Sequence, residues 1–300
     1  MSTREGTLAA RVGRPVWRRY LALTKPRVVA LMALTAIVGM GLARPEPPPW
    51  TLVLVATAGI ALMAASGAAL NHLVDRRIDA VMARTRHRPL PRGELHPPAV
   101  AIFAALLAAA GAALLWFGTN RLCLALTAAS LVGYAGIYSL GLKPYTEQNI
   151  VIGGAAGATP PLLGWVAVTG SVEPGALLLF LIVLVWTPPH FWALAIHRVD
   201  DYRRAGIPML PVTRGVRYTS DRVLGYAVAL LLLTLLPAAI GLAGPPYLLG
   251  ATLLGLGFVA HAWRLRRDVR AAMPTFRYSI VYLAALFALM LADRLLAGRA

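Results

Sequence analysis

Nine stretches of this chain carry no Asp, Glu, Lys or Arg, and each approaches the roughly 20 apolar residues that a membrane-crossing helix requires. They run approximately over 28–43, 51–70, 99–117, 122–142, 149–169, 176–196, 223–243, 247–263 and 278–292. In hydrocarbon every backbone N–H and C=O must be bonded internally, so stretches of this kind fold as helices. The expected fold is therefore all-α and polytopic. Nine transmembrane helices surround a central cavity, active-site loops face the cytoplasm, and residues 28–296 form one domain behind a cytoplasmic tail of residues 1–27.

Composition agrees: 58% of residues are hydrophobic and only 14% charged. The formal net charge of +17 would suggest a nucleic-acid partner in a soluble protein. Here the charge is divided by side. With the N-terminus inside, 25 of the 29 Lys and Arg fall on inner segments, and only Arg44, Arg121, Arg294 and Arg299 fall outside. That asymmetry is the positive-inside pattern, so the charge implies a lipid-bilayer partner and no nucleic acid. The Arg-rich tail has no cleavable signal pattern, which favours a bacterial inner membrane over a mitochondrial one. Cys123 is the single cysteine, so an intrachain disulfide and a cysteine-based metal site are excluded.

Chemistry concentrates where the second apolar stretch ends, in Asn71-H-L-V-Asp75-R-R-I-Asp79. If the helix continues, residues spaced by four are rotated by only about 40° from one another, and three oxygen-bearing side chains share a face. Amide and carboxylate oxygens suit magnesium, which commonly completes its shell with substrate phosphates and water. Arg84, Arg86 and Arg88 follow, so the pattern points to a diphosphate bridged by metal. The alternative is a polar helix end that meets water and headgroups.

A second long inner connection begins after the sixth stretch and carries Asp200 and Asp201. Two acidic groups facing each other across a cavity could share one diphosphate between two ions. Adjacent side chains on a helix diverge by about 100°, so one ion cannot readily take both from regular helix. The only two lysines, Lys25 and Lys143, sit at inner span ends. Either could contact phosphate as a point charge or anchor at the interface. Pro160-Pro161 and Pro188-Pro189 interrupt two spans and are expected to kink them. His190 follows the second pair; packing and substrate contact both remain open for it. His72, His87, His96 and His261 receive no assignment.

The block Asn71 to Pro89 resembles the UbiA-type intramembrane prenyltransferases. The blocks Tyr138 to Trp165 and Trp186 to Val212 are similar to the members that farnesylate haem. The resemblance covers the chain from about Tyr20 to the last span. It implies farnesyl transfer from farnesyl diphosphate to a vinyl group of haem b, giving haem o. Asn71, Asp75 and Asp79 would hold Mg2+, with Asp200 or Asp201 serving a second ion. Arg84, Arg88 and Lys143 would neutralise the leaving group, assisted by Tyr138. His190 would contact haem or handle a proton. Lys25, Arg27, Arg198 and Arg203, with Asn71, would bind substrate. A haem A synthase or terminal-oxidase assembly would receive the product. Many family members carry a second D-x-x-x-D, whereas here the acids are adjacent.

Three other functions compete. A prenyltransferase acting on a quinone precursor or a chlorin would share the first motif but not the later blocks. A transporter of an anionic substrate would usually keep polar groups at mid-depth, and no Asp, Glu or Lys lies there. A structural assembly factor would have no use for the carboxylate stripe.

Overall fold

The computed structural model describes residues 15–142 and 145–297, whose regular structure is helical, with no strand among them. The N-terminal region folds as α1 (Val16–Leu23) and α2 (Pro26–Leu42), then α3 (Trp50–Val74) and α4 (Arg76–Val81). Next come α5 (Pro97–Gly118), α6 (Arg121–Val132) with a π-helical extension over Gly133–Leu142, α7 (Asn149–Ala158) and α8 (Pro160–Thr169). The remainder forms α9 (Pro174–His197), α10 (Val199–Arg204), α11 (Leu210–Thr213), α12 (Gly215–Leu233), α13 (Leu236–Ala239), α14 (Pro245–Arg267) and α15 (Ala272–Ala297).

Eight helical stretches among the described residues are long and apolar enough to cross a bilayer. A ninth arises if α1 and α2, bent by 49° at Thr24–Lys25, count as one. The chain is thus an all-helical, multi-pass membrane protein. The expected tail of 1–27 is helical over Val16–Leu23, and residues 1–14 lie outside the described residues.

Proline acts differently in its two pairs. Pro160-Pro161 follow a break at Thr159 that divides one span into α7 and α8, since proline supplies no N–H to the preceding turn. Pro188-Pro189 stay inside an uninterrupted α9.

Burial separates inner from outer helices. The spans Asn149–Thr169 and Pro174–His197 are each 61% buried inside the protein, against 22% for Pro97–Gly118. Leu106 and Phe117 of α5 and Leu253 of α14 therefore face lipid, where an apolar surface costs nothing. α2 meets α8 at backbone distance. A Cβ on Gly39 would stand 2.0 Å from the Pro161 carbonyl oxygen, and one on Gly164 would stand 2.0 Å from that of Ala36. Only glycine permits such an approach. At the opposite end of the bundle, the buried Asp293 accepts from the Gly244 and Tyr247 amides at 2.5 and 3.3 Å, capping the N-terminus of α14.

Candidate active site

α3 does not run on unbroken. It stops at Val74, and α4 starts at Arg76, with Asp75 as the hinge residue between them. The i to i−4 bonds survive across the hinge: Asp75 N–H donates to Asn71 O at 2.9 Å and Asp79 N–H to Asp75 O at 2.8 Å. Asn71, Asp75 and Asp79 therefore remain linked, and their exposures are 5%, 3% and 3%. They do not splay toward solvent.

Each side chain of the stripe is held. Asn71 Nδ2 donates to Asp75 Oδ2 at 2.8 Å and to Ser139 Oγ at 3.3 Å, while its Oδ1 accepts from Lys25 Nζ at 2.8 Å. Arg88 donates to Asp79 Oδ2 at 2.6 Å. The extended backbone of Met82 ends α4 and turns the chain back, and Thr85 donates to the Asp79 carbonyl, which helps aim Arg88 at the stripe.

Lys25 reaches Asn71 through a backbone strain. Its φ of 49° makes it the only non-glycine residue with positive φ among those described. An L-residue in that region pays of order 1–2 kcal/mol, so surrounding contacts must hold it there. Burial lowers the Lys25 ammonium to about 8; Arg88 adds to this, and Asp75 and Asp79 oppose it.

α9 and α10 repeat the arrangement. α9 ends at His197, Arg198 is the single residue between, and α10 opens with Asp200 and Asp201 in its first turn. The two acids part as their helical angle requires. Asp201 is 5% exposed and paired with Arg204 and, at 3.9 Å, with Arg198. Asp200 points outward, with its side chain 71% exposed and bonded to Arg203 at 2.6 Å. Tyr202 connects the two loops: it is buried, and Arg84 approaches its hydroxyl as a hydrogen-bond donor. The Tyr138 hydroxyl lies within electrostatic range of both Asp75 and Tyr202.

Tyr138 and Ser139 are presented by the π-helical segment, where Tyr134 and Tyr138 stack with ring centroids 5.7 Å apart. Single π turns recur at functional sites, because the wider turn re-aims side chains. The ring of Tyr138 rests on Gly153, whose added Cβ would stand 2.1 Å from it. Lys143 lies outside the described residues. Just beyond it, Glu147 accepts from Thr213 at 2.7 Å and from Arg214, tying this loop to the entry of α12. The Thr213 hydroxyl, with Arg214, holds the Glu147 carboxyl below its ordinary value.

His190 is bonded elsewhere. Its imidazole lies between Trp186 and Phe276, at 4.3 and 4.6 Å, and Nδ1 is 2.7 Å from Ser279 Oγ on α15. Ser279 Oγ donates its own proton to the Phe276 carbonyl at 2.6 Å. Nδ1–H must then be the donor to Ser279, which leaves the Nε2 lone pair available. Arg27 is exposed on the first turn of α2.

Among the described residues no three His, Cys, Asp or Glu converge as a metal site. Hard oxygens are nevertheless concentrated on Asn71, Asp75 and Asp79, and a magnesium ion that draws further ligands from phosphate and water fits that donor set. Two surface depressions, one at Trp17, Leu21 and Pro26 and one at Val55, Leu114 and Phe117, contain none of these residues. Ser139, Tyr202 and Arg204 went unrecognised in the sequence. The spacing of three between Asp201 and Arg204 could have revealed one of them.

Buried amide and carboxylate oxygens beside cations, in a helical membrane bundle, form a donor set suited to a metal-bridged phosphate group. The model of the UbiA prenyltransferase family matches residues 32–291, and the chain belongs to that family. It is a prenyltransferase. It is 58% identical to protoheme IX farnesyltransferase of Marinobacter nauticus over 92% of both chains, and 57% identical to that of Azotobacter vinelandii over 96% and 97%. The fold resembles digeranylgeranylglyceryl phosphate synthase with a TM-score of 0.76 at 19% identity, covering 93% of this chain and 98% of that one. A UbiA homolog from Archaeoglobus fulgidus bound to DMAPP and Mg2+ superposes with a TM-score of 0.64 at 14% identity, over 91% and 99%.

Proposed function

We propose that this prenyltransferase moves a farnesyl group from farnesyl diphosphate to a vinyl group of haem b, giving haem o. The single observation that carries the reading is 58% identity over 92% of both chains to a protoheme IX farnesyltransferase. The buried stripe of Asn71, Asp75 and Asp79 supports it chemically.

The farnesyl C1–O bond breaks as the electron pair leaves with diphosphate. Magnesium, held by Asn71, Asp75 and Asp79 and at a second position by Asp201, would supply charge neutralisation for that departure. Lys25, Arg84 and Arg88 are assigned as cations for the phosphate oxygens, with Tyr138 and Asn71 assisting, and Lys143 is assigned the same charge-neutralising role. Arg27, Arg198 and Arg203 widen the positive field through which the anionic substrate arrives. Asp200, which is exposed, is given the lesser role.

The vinyl carbon bonds to the allylic carbon, and the cation left beside the porphyrin takes water and releases a proton. Apolar walls must exclude water until that bond exists. His190 is assigned to haem: with its Nδ1–H engaged by Ser279, Nε2 can ligate iron or accept the proton. Bacterial relatives and the partition of charge favour an inner membrane with the N-terminus in the cytoplasm, the product passing to a haem A synthase or oxidase assembly step.

Purified protein incubated with haem b, farnesyl diphosphate and Mg2+ should yield the hydroxyethylfarnesyl adduct by mass spectrometry. Turnover of a quinone precursor with no haem adduct would overturn the acceptor assignment.

A further inference from the structure

His72 occupies the last turn of α3 beside Asn71 and is 3% exposed. Among the described residues, neither Nδ1 nor Nε2 has a hydrogen-bond partner. A buried polar group left unpaired destabilises a fold, and an apolar residue of similar size would fill the position without that cost. Arg88, Lys25 and Arg84 lie near enough to set a positive field at the imidazole.

That surrounding selects the partner. Magnesium prefers oxygen ligands to imidazole nitrogen, so the ion of the neighbouring stripe gives His72 no role as a ligand. An anionic oxygen satisfies both the cations and an imidazole N–H. Successive helical residues are rotated by about 100°, so His72 stands beside the stripe of candidate metal ligands and not on it. A group there is placed for the phosphate that the ion would bridge.

We propose that His72 is a diphosphate-binding residue, donating an imidazole N–H to a phosphate oxygen of the prenyl diphosphate. The inference rests on the prenyl-diphosphate reading above. Hydrogen bonds from buried donors to charged acceptors are strong because the donor has no competing water, so loss of this one should be readable in affinity.

The test uses the full chain in a neutral detergent with Mg2+, titrated calorimetrically with inorganic pyrophosphate and with farnesyl thiodiphosphate. His72→Leu keeps an apolar filling, and His72→Asn keeps a donor. The leucine variant should bind both probes on the order of tenfold more weakly or worse, with a thermal unfolding midpoint equal to or above the parent's. The asparagine variant should recover most of the affinity. Binding of pyrophosphate itself shows that the site reads diphosphate and not a lipid headgroup. Parental affinity in the leucine variant, or equal losses in both variants, overturns the role of His72 and leaves the prenyl-diphosphate reading intact. If the parent binds neither probe, that reading fails and the role of His72 fails with it.

Discussion

Lys25 Nζ lies 2.8 Å from Asn71 Oδ1, joining the break between α1 and α2 to the end of α3 across 46 residues of sequence. The lysine holds a left-handed backbone to make that bond. Strain retained at one residue beside a charged cluster fits a functional demand better than a folding one. Replacing Lys25 by Gly relieves the strain and deletes the ammonium. Stability should hold or rise by up to about 1 kcal/mol, while kcat/KM for farnesyl diphosphate falls at least about tenfold. A detergent thermal melt run beside an initial-rate assay separates the two effects, and parallel losses in both would assign Lys25 to structure alone.

Arg88 and Asp79 form a largely buried pair, with side chains 20% and 4% exposed. Removing one partner strands the other, so Asp79→Ala or Arg88→Ala alone should cost more than about 2 kcal/mol. The double change Asp79→Asn with Arg88→Gln should restore much of that stability but no turnover. Recovery of activity in the double variant would remove both residues from the chemistry.

The neighbours Asp200 and Asp201 should behave unlike one another. Asp200 makes an exposed pair worth at most about 1 kcal/mol, and Asp200→Ala should leave turnover within a fewfold of the parent. Asp201→Ala removes a buried carboxylate and should reduce turnover by about a hundredfold or more. Similar rates in the two variants would argue against a second ion near Asp201.

Asp75→Ala should abolish product formation while the protein still inserts in the membrane, because the hinge backbone bonds need no carboxylate. Chelation of divalent ions should silence the parent, with Mg2+ restoring it. Persistent activity in excess chelator would contradict the metal assignment.

Gly153→Ala places a methyl group where the Tyr138 ring now rests, so the ring must move. Turnover should fall about tenfold or more if the hydroxyl assists the leaving group, with protein yield little changed. The comparison is Tyr138→Phe, which should lose activity to a similar degree without displacing the ring.

The spans were legible because hydrocarbon demands long apolar runs, and the stripe was legible because oxygen-bearing side chains recur every fourth residue from Asn71. The hinge at Asp75 was not. Its i−4 hydrogen bond persists, so spacing looks identical whether the helix bends there or continues. Partners supplied from other helices, such as Ser139 for Asn71 and Tyr202 for Arg84, leave no mark in local periodicity. The π turn over Gly133–Leu142 was hidden as well, since its residues suit an ordinary span. Acidic recurrence four spans apart did signal the parallel between α4 and α10, but which adjacent aspartate faces inward depends on where α10 begins.

Because α2 touches α8 main chain to main chain at Gly39 and Gly164, neither helix can slide along the other without collision. The depth at which the Lys25 ammonium rides is thereby tied to two residues that lie outside the cluster around Asn71. Engineering toward bulkier isoprenoids can enlarge the lipid-side walls freely, yet any side chain longer than hydrogen at either position would lift the N-terminal cation out of register with its amide.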